Sequence, residues 1–142
     1  VPLTPSVVAL YYDGYSNAVL WPLFHYLLDK VRLDAGNEWR AYKAVNERFA
    51  DVVARDLTAE DTVWVHDYQL MLLPGLLRQR VPGVRIGFFL HVPWPASDVF
   101  RILPSREEIP EPPDRFAVDL NGSFHANTRQ VVVVIGNDAG ER

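Results

Sequence analysis

Four side chains stand out for the chemistry they offer. Asp67 follows the apolar run 62–65 (TVWV) and His66. A carboxylate just past a buried strand is costly unless it is solvated or hydrogen-bonded. It can meet that need by holding sugar hydroxyls or acting as a general base, or by N-capping a following helix. His91 ends a second apolar run, 85–90 (RIGFFL), and leads into VPWP, whose prolines impose an extended exit. A histidine at a strand end often serves local structure alone. Here it ends the strand after the Asp67 strand, so the two polar groups converge on one crevice. Tyr12 and Trp21 carry rings with one polar edge. Such rings pack on sugar C–H faces and offer an O–H or N–H to hydroxyls or phosphate, and they serve equally in ordinary packing. His66 adjoins Asp67, but strand alternation turns it to the opposite face, so it reads as structural.

Other chemistries find little support. The chain has no GxGxxG, GxxxxGK[ST], GxSxG or HExxH pattern, and the spacing of His66 and His91 is not that of metal ligands. The 142 residues include no cysteine, which removes disulfides and thiolate chemistry and fits a reducing, cytoplasmic setting. The net charge is −4 with no Lys/Arg-rich run, which argues against a nucleic-acid partner. No apolar run reaches the length of a membrane span. The opening VPLTPSVVAL lacks the basic region of a signal peptide, and it lacks an initiator Met, so upstream sequence is expected. Arg101, Arg106, Glu107 and Glu108 read as surface charges, although either arginine could meet a phosphate.

The elements that position these residues follow from periodicity. Residues 62–95 read as strand, helix, strand: a parallel βαβ unit whose strands are apolar enough to be covered on both faces. Its crossover has an inward stripe at Leu70, Leu73, Leu77 and Val81, with Pro74 opening the regular helix and Pro82 and Gly83 ending it. Upstream, residues 7–10 suit a strand or a lead-in, and 11–17 read as a loop in which Ser16 or Asn17 caps the next helix. Residues 18–31 carry a helical stripe, as does the stretch from about 38 to 55, whose charged face needs only solvent. Ser97 and Ser105 are candidate caps for short helices. At 110 the sequence changes to PEPPD, a turn or linker. The later run 131–135 (VVVVI) suits a buried strand or an aggregation-prone segment, and the polar end from 136 reads as frayed.

Three stretches also resemble the trehalose-6-phosphate synthase family, glycosyltransferase family 20: DGYSNAVLWPLFHY (13–26), WVHDYQLMLLPGLLR (64–78) and IGFFLHVPWPASDVFRILPSREEI (86–109). Long motifs in the right order make this far more specific than a short pattern. The resemblance spans residues 10–109. It implies an α/β, Rossmann-like parallel sheet with flanking helices, part of the N-terminal domain of a GT-B glycosyltransferase. The implied units are 1–109, the acceptor-side domain in part, and 110–142, a divergent tail of unknown structure.

The family transfers glucose from UDP-glucose to glucose 6-phosphate with retention, forming trehalose 6-phosphate without a metal or other cofactor. By resemblance, Tyr12 lies near the acceptor phosphate, Trp21 lines the same pocket, Asp67 holds acceptor hydroxyls and His91 contacts the transferred glucose. Asp67 and His91 would then work by positioning and polar stabilisation. The expected partners are the two substrates, with an oligomer compatible. A close variant would use another phosphorylated acceptor such as glycerol 3-phosphate. Family members add a donor-touching glycine loop before this stretch and a donor-binding second domain after it. Residues 110–142 do not match that continuation, so the resemblance also admits a non-catalytic or regulatory remnant, and little activity is expected of the isolated chain.

Overall fold

The computed structural model describes residues 1–109 and 130–135. Its first element is helical where a strand and a loop were expected. Helix α1 (Pro5–Val8) passes without interruption into a wide π-helical stretch (Ala9–Leu20) and then α2 (Trp21–Phe24). Aromatic and small residues in 11–17 suggested a loop, but Tyr11, Tyr15, Val19 and Leu20 are buried, and tertiary burial outweighs local propensity. Ser16 caps nothing; inside the helix its hydroxyl donates to the Tyr11 carbonyl five residues back, at 2.9 Å. Pro22 has no N–H to give the Ala18 carbonyl, and Arg32 N fills that place at 3.1 Å. The stripe predicted through residue 31 stops early. Tyr26 adopts φ +59 and turns the chain away, leaving only a single 3₁₀ turn at Leu28–Lys30.

Helix α3 (Gly36–Ala54) is close to expectation. Tyr42, Val45, Asn46, Phe49 and Ala50 form its buried face. On the exposed side, Glu47 and Asp51 pair with Arg80. Strand β1 (Thr62–His66), a 3₁₀ turn (Tyr68–Leu70), α4 (Leu73–Arg80) and β2 (Arg85–Phe89) make the predicted βαβ unit. Leu70, Leu73 and Leu77 are fully buried, each contributing roughly 1.5–3 kcal/mol. Gly83, at φ +89, makes the turn after α4.

A third strand, β3 (Gln130–Val133), pairs in parallel with β1 and gives the order β2-β1-β3. The apolar run in the tail is therefore a strand of the same sheet. The expected linker at 110–114 and the frayed end lie outside the described residues.

Among the described residues the sheet is covered on one face rather than both. Val63, Val65, Ile86, Phe88 and Val133 are buried, whereas Trp64 is half-buried and Phe89 and Val132 are 52% and 60% exposed. On that open face the Trp64 ring lies over Gly87, its register partner, where any Cβ would come within 2.6 Å of the indole.

Beyond β2, a short helix α5 (Ser97–Phe100) and a 3₁₀ turn (Arg106–Glu108) lack the predicted side-chain caps. The Ser105 hydroxyl bonds the Tyr15 hydroxyl instead. Glu108 ties this segment to α3 through Trp39 Nε1 at 3.0 Å and Lys43 Nζ at 2.8 Å. Among the described residues no helix is long and apolar enough to cross a membrane.

Candidate functional site at the carboxyl edge of the sheet

Strands β1 and β2 end side by side, with His66 paired to Phe89 in register. Past that pair the backbone of Asp67 leaves the strand, at φ +70 and ψ 169. This region is nearly exclusive to glycine and costs a side-chain-bearing residue about 1–3 kcal/mol. The geometry serves two ends. Asp67 N–H still closes the sheet on the Phe89 carbonyl at 2.8 Å, while Oδ1 turns back to accept from Tyr68 N–H at 3.0 Å. Asp67 thus caps the following 3₁₀ turn, as one of its two sequence readings held. The same oxygen also lies 3.4 Å from the backbone N–H of His91. Asp67 and His91, expected to converge, do meet.

His66 was expected on the face opposite Asp67, and along β1 it keeps the alternation, sharing the open face with Trp64 and with its register partner Phe89. There the His66 ring meets that of His91, which lies two residues beyond Phe89. Its Nδ1 is 3.3 Å from His91 Nε2, and the rings stack with centroids 5.5 Å apart. Phe89 packs edge-on against His91 at 4.8 Å. With both ring nitrogens directed at one another, one imidazole donates and the other accepts.

Tyr68 carries the site toward the first helix. Its hydroxyl donates to Asn17 Oδ1 at 3.0 Å. Burial first, then the neighbouring Asp67 charge and Tyr12, push its pKa up to about 12, so it remains a neutral donor in ordinary conditions. Tyr12 is half-buried beside Tyr68 and belongs to this cluster. Trp21 lies four residues beyond Asn17 on the same continuous helix, 41% exposed, with its ring stacked on His25 at 4.1 Å. Asn17, read from sequence only as a possible helix cap, and Tyr68 were not among the site candidates. Their only signal was a polar residue just before an apolar helical stripe and a tyrosine adjoining the carboxylate.

Around the turn, buried polar groups converge from two helices. Tyr11 Oη donates to the Gln69 carbonyl at 3.0 Å, and Tyr42 Oη donates to the Tyr68 carbonyl at 2.6 Å. Burial raises the pKa of both tyrosines. Among the described residues no three His, Asp or Glu side chains gather as a metal ion would require. A separate pocket of about 310 Å³, lined by Tyr15, Trp39, Leu103 and Glu108 among others, opens near the start of α3, and none of the four predicted site residues lines it.

A parallel α/β sheet with flanking helices that collects a carboxylate and two imidazoles at its carboxyl edge has the architecture of a Rossmann-like domain. Comparison with known proteins takes the class further. The model of glycosyltransferase family 20 matches residues 1–112. The chain is 52% identical over 107 residues to the UDP-forming alpha,alpha-trehalose-phosphate synthase A of Dictyostelium discoideum, covering 75% of this chain and 14% of that protein. The Burkholderia xenovorans alpha,alpha-trehalose-phosphate synthase in complex with glucose-6-phosphate superposes with a TM-score of 0.69 at 40% identity, over 75% of this chain and 23% of that one. An Escherichia coli structure bound with UDP-2-fluoro glucose gives 0.70 at 42% identity, over 74% and 23%.

The chain belongs to glycosyltransferase family 20. Its fold is the Rossmann-like sheet expected for part of the N-terminal domain of a GT-B glycosyltransferase. It spans between about a seventh and a quarter of the relatives' length.

Proposed function

We propose that this chain forms the acceptor side of a retaining glucosyltransferase site, in which glucose passes from UDP-glucose to glucose 6-phosphate to give trehalose 6-phosphate and UDP. The observation that carries the reading is the strained Asp67 at the end of β1, its carboxylate shared between Tyr68 N–H and His91 N–H. A residue held in a costly conformation at a ligand-binding sheet edge is the mark of a functional group. Family membership supplies the reaction, and glucose-6-phosphate in the Burkholderia relative supplies the acceptor.

In this reading Asp67 accepts hydrogen bonds from acceptor hydroxyls, and Tyr12 and Trp21 line the acceptor pocket. His91 contacts the transferred glucose, with His66 against its ring. The bond from the anomeric carbon to the UDP oxygen breaks through an oxocarbenium-like state. The acceptor's anomeric hydroxyl forms the new bond, and its proton leaves with the departing phosphate. Asp67 and His91 contribute orientation and polar stabilisation, and no step draws on a metal ion. A cytoplasmic setting suits a chain without cysteine.

The 142 residues alone bind acceptor and turn over little, because they correspond to a fraction of the length of the relatives. Calorimetry with glucose 6-phosphate tests the reading. Wild-type chain binds and Asp67→Ala does not. Equal binding by both removes Asp67 from the acceptor site. A UDP-release assay completes the test, since turnover comparable to a full-length relative contradicts the half-site reading.

A further inference from the structure

We infer that Asn46, with Tyr11 and Tyr42, is a clamp on the turn after β1, and that these buried residues are positioning residues for Asp67. The inference deepens the acceptor-site reading and rests on it.

Asp67 does not hold its conformation unaided. Positive φ is unfavourable for an aspartate, and it persists only where surrounding structure over-determines it. Locally, Leu70 N–H bonds the Asp67 carbonyl at 3.1 Å, beside the Asp67 N–H bond to the Phe89 carbonyl at 2.8 Å and the Tyr68 N–H bond to Oδ1. A further grip comes from the helices. Tyr42 Oη donates to the Tyr68 carbonyl at 2.6 Å and accepts from Met71 N–H at 3.2 Å, holding the turn at both ends. The Gln69 carbonyl between them accepts twice, from Tyr11 Oη at 3.0 Å and from Asn46 Nδ2 at 3.1 Å. The peptide groups just past Asp67 are therefore fixed by three side chains from two separate helices. If those groups rotate, φ at Asp67 relaxes toward the strand value and its carboxylate swings off the sheet edge.

Asn46 is the informative member. It is fully buried, and its Oδ1 has no hydrogen-bond partner among the described residues. An unsatisfied buried oxygen costs stability, and an apolar side chain of similar volume removes that cost. The Gln69 carbonyl would keep Tyr11. What the amide adds, beyond a bond within its own helix to the Tyr42 carbonyl, is the second grip on the turn that aims Asp67.

The test is Asn46→Leu in the full 142-residue chain. Without ligand, the three-bond amide-to-Hα coupling of Asp67 reads φ directly. It is expected to move from the left-handed toward the extended value, while the melting temperature holds or rises. With ligand, affinity for glucose 6-phosphate is expected to fall about tenfold or more. Tyr11→Phe, which keeps the ring and removes the other donor to Gln69, is expected to shift the same coupling.

An unchanged Asp67 coupling in folded variants overturns the clamp. A chain unfolded by Asn46→Leu overturns it too, because the role would then be structural. A wild-type chain that binds no glucose 6-phosphate overturns the acceptor reading instead, and the Asp67 coupling still decides the clamp.

Discussion

Replacing Asp67 by alanine and, separately, by glycine should reverse the usual order of stability. Within a strand or helix, glycine is less stable than alanine by roughly 0.5–1 kcal/mol, because it loses more backbone freedom on folding. At φ +70 and ψ 169 the order inverts. Alanine there keeps the strain of about 1–3 kcal/mol, and glycine is free of it. The unfolded-state advantage of alanine, about 0.4–1 kcal/mol, offsets part of this. Both variants lose the same carboxylate, its 3.0 Å bond from Tyr68 N–H and its contact with His91 N–H. Those losses cancel in the comparison. Asp67→Gly should therefore exceed Asp67→Ala by about 1–2 kcal/mol, with a melting temperature higher by about 2–4 °C per kcal/mol. Urea denaturation of the two variants measures it. Neither should bind glucose 6-phosphate, so the more stable variant gains nothing in function. Alanine equal to or more stable than glycine would refute the strain at Asp67, and with it the structural basis of the site.

Other perturbations separate packing from site chemistry. Tyr42→Phe leaves the Tyr68 carbonyl and Met71 N–H buried without their partner, and should cost about 2–4 kcal/mol in urea denaturation. Gly87→Ala forces a Cβ to within 2.6 Å of the Trp64 ring. It should destabilise by about 1–3 kcal/mol and change the tryptophan fluorescence, although alanine is ordinarily the better strand residue. Trp21→Ala removes an exposed ring stacked on His25. It should shift stability by less than about 1 kcal/mol while weakening glucose 6-phosphate binding, and unchanged binding would take Trp21 out of the pocket.

Stability should also fall at alkaline pH. Tyr68 and Tyr15 have folded pKa values raised from 10.0 to about 12, mainly by burial, and Tyr11 and Tyr42 are raised as well. The folded state then holds protons that the unfolded state releases above pH 10. The stabilisation is complete below that value and is lost as pH rises toward 12. Denaturation midpoints across this range, with Tyr68→Phe as a shallower control, check the sign.

The βαβ unit was legible because its signals are local. The strands at 62–66 and 85–89 are continuous apolar runs, and Pro74 and Gly83 bracket the intervening helix. Asp67 and His91 could be paired from sequence because consecutive parallel strands place their carboxyl ends together. The N-terminal reading failed because residues 11–17 have loop-like composition. Burial of Tyr11 and Tyr15 against α3 makes them helical, and no single-sequence periodicity reports that burial. Helix 18–31 was overextended because the stop at Tyr26 is a left-handed tyrosine, a conformation no residue type there announces.

What the sequence determined by itself was a parallel α/β unit, a polar sheet edge built around Asp67 and His91, and, through long motifs, family membership. Tertiary structure alone decided the geometry of that edge. Alternation sets the face of His66, but only the paired strand ends and the turn after β2 bring its ring to 3.3 Å from that of His91, and no residue type announces the positive φ at Asp67. Tyr11, Tyr42 and Asn46 look like ordinary members of buried helical stripes. Their hold on the turn after Asp67 arises from hydrogen bonds across 23 to 58 residues of chain, and contacts that distant in sequence exist only once the helices have packed.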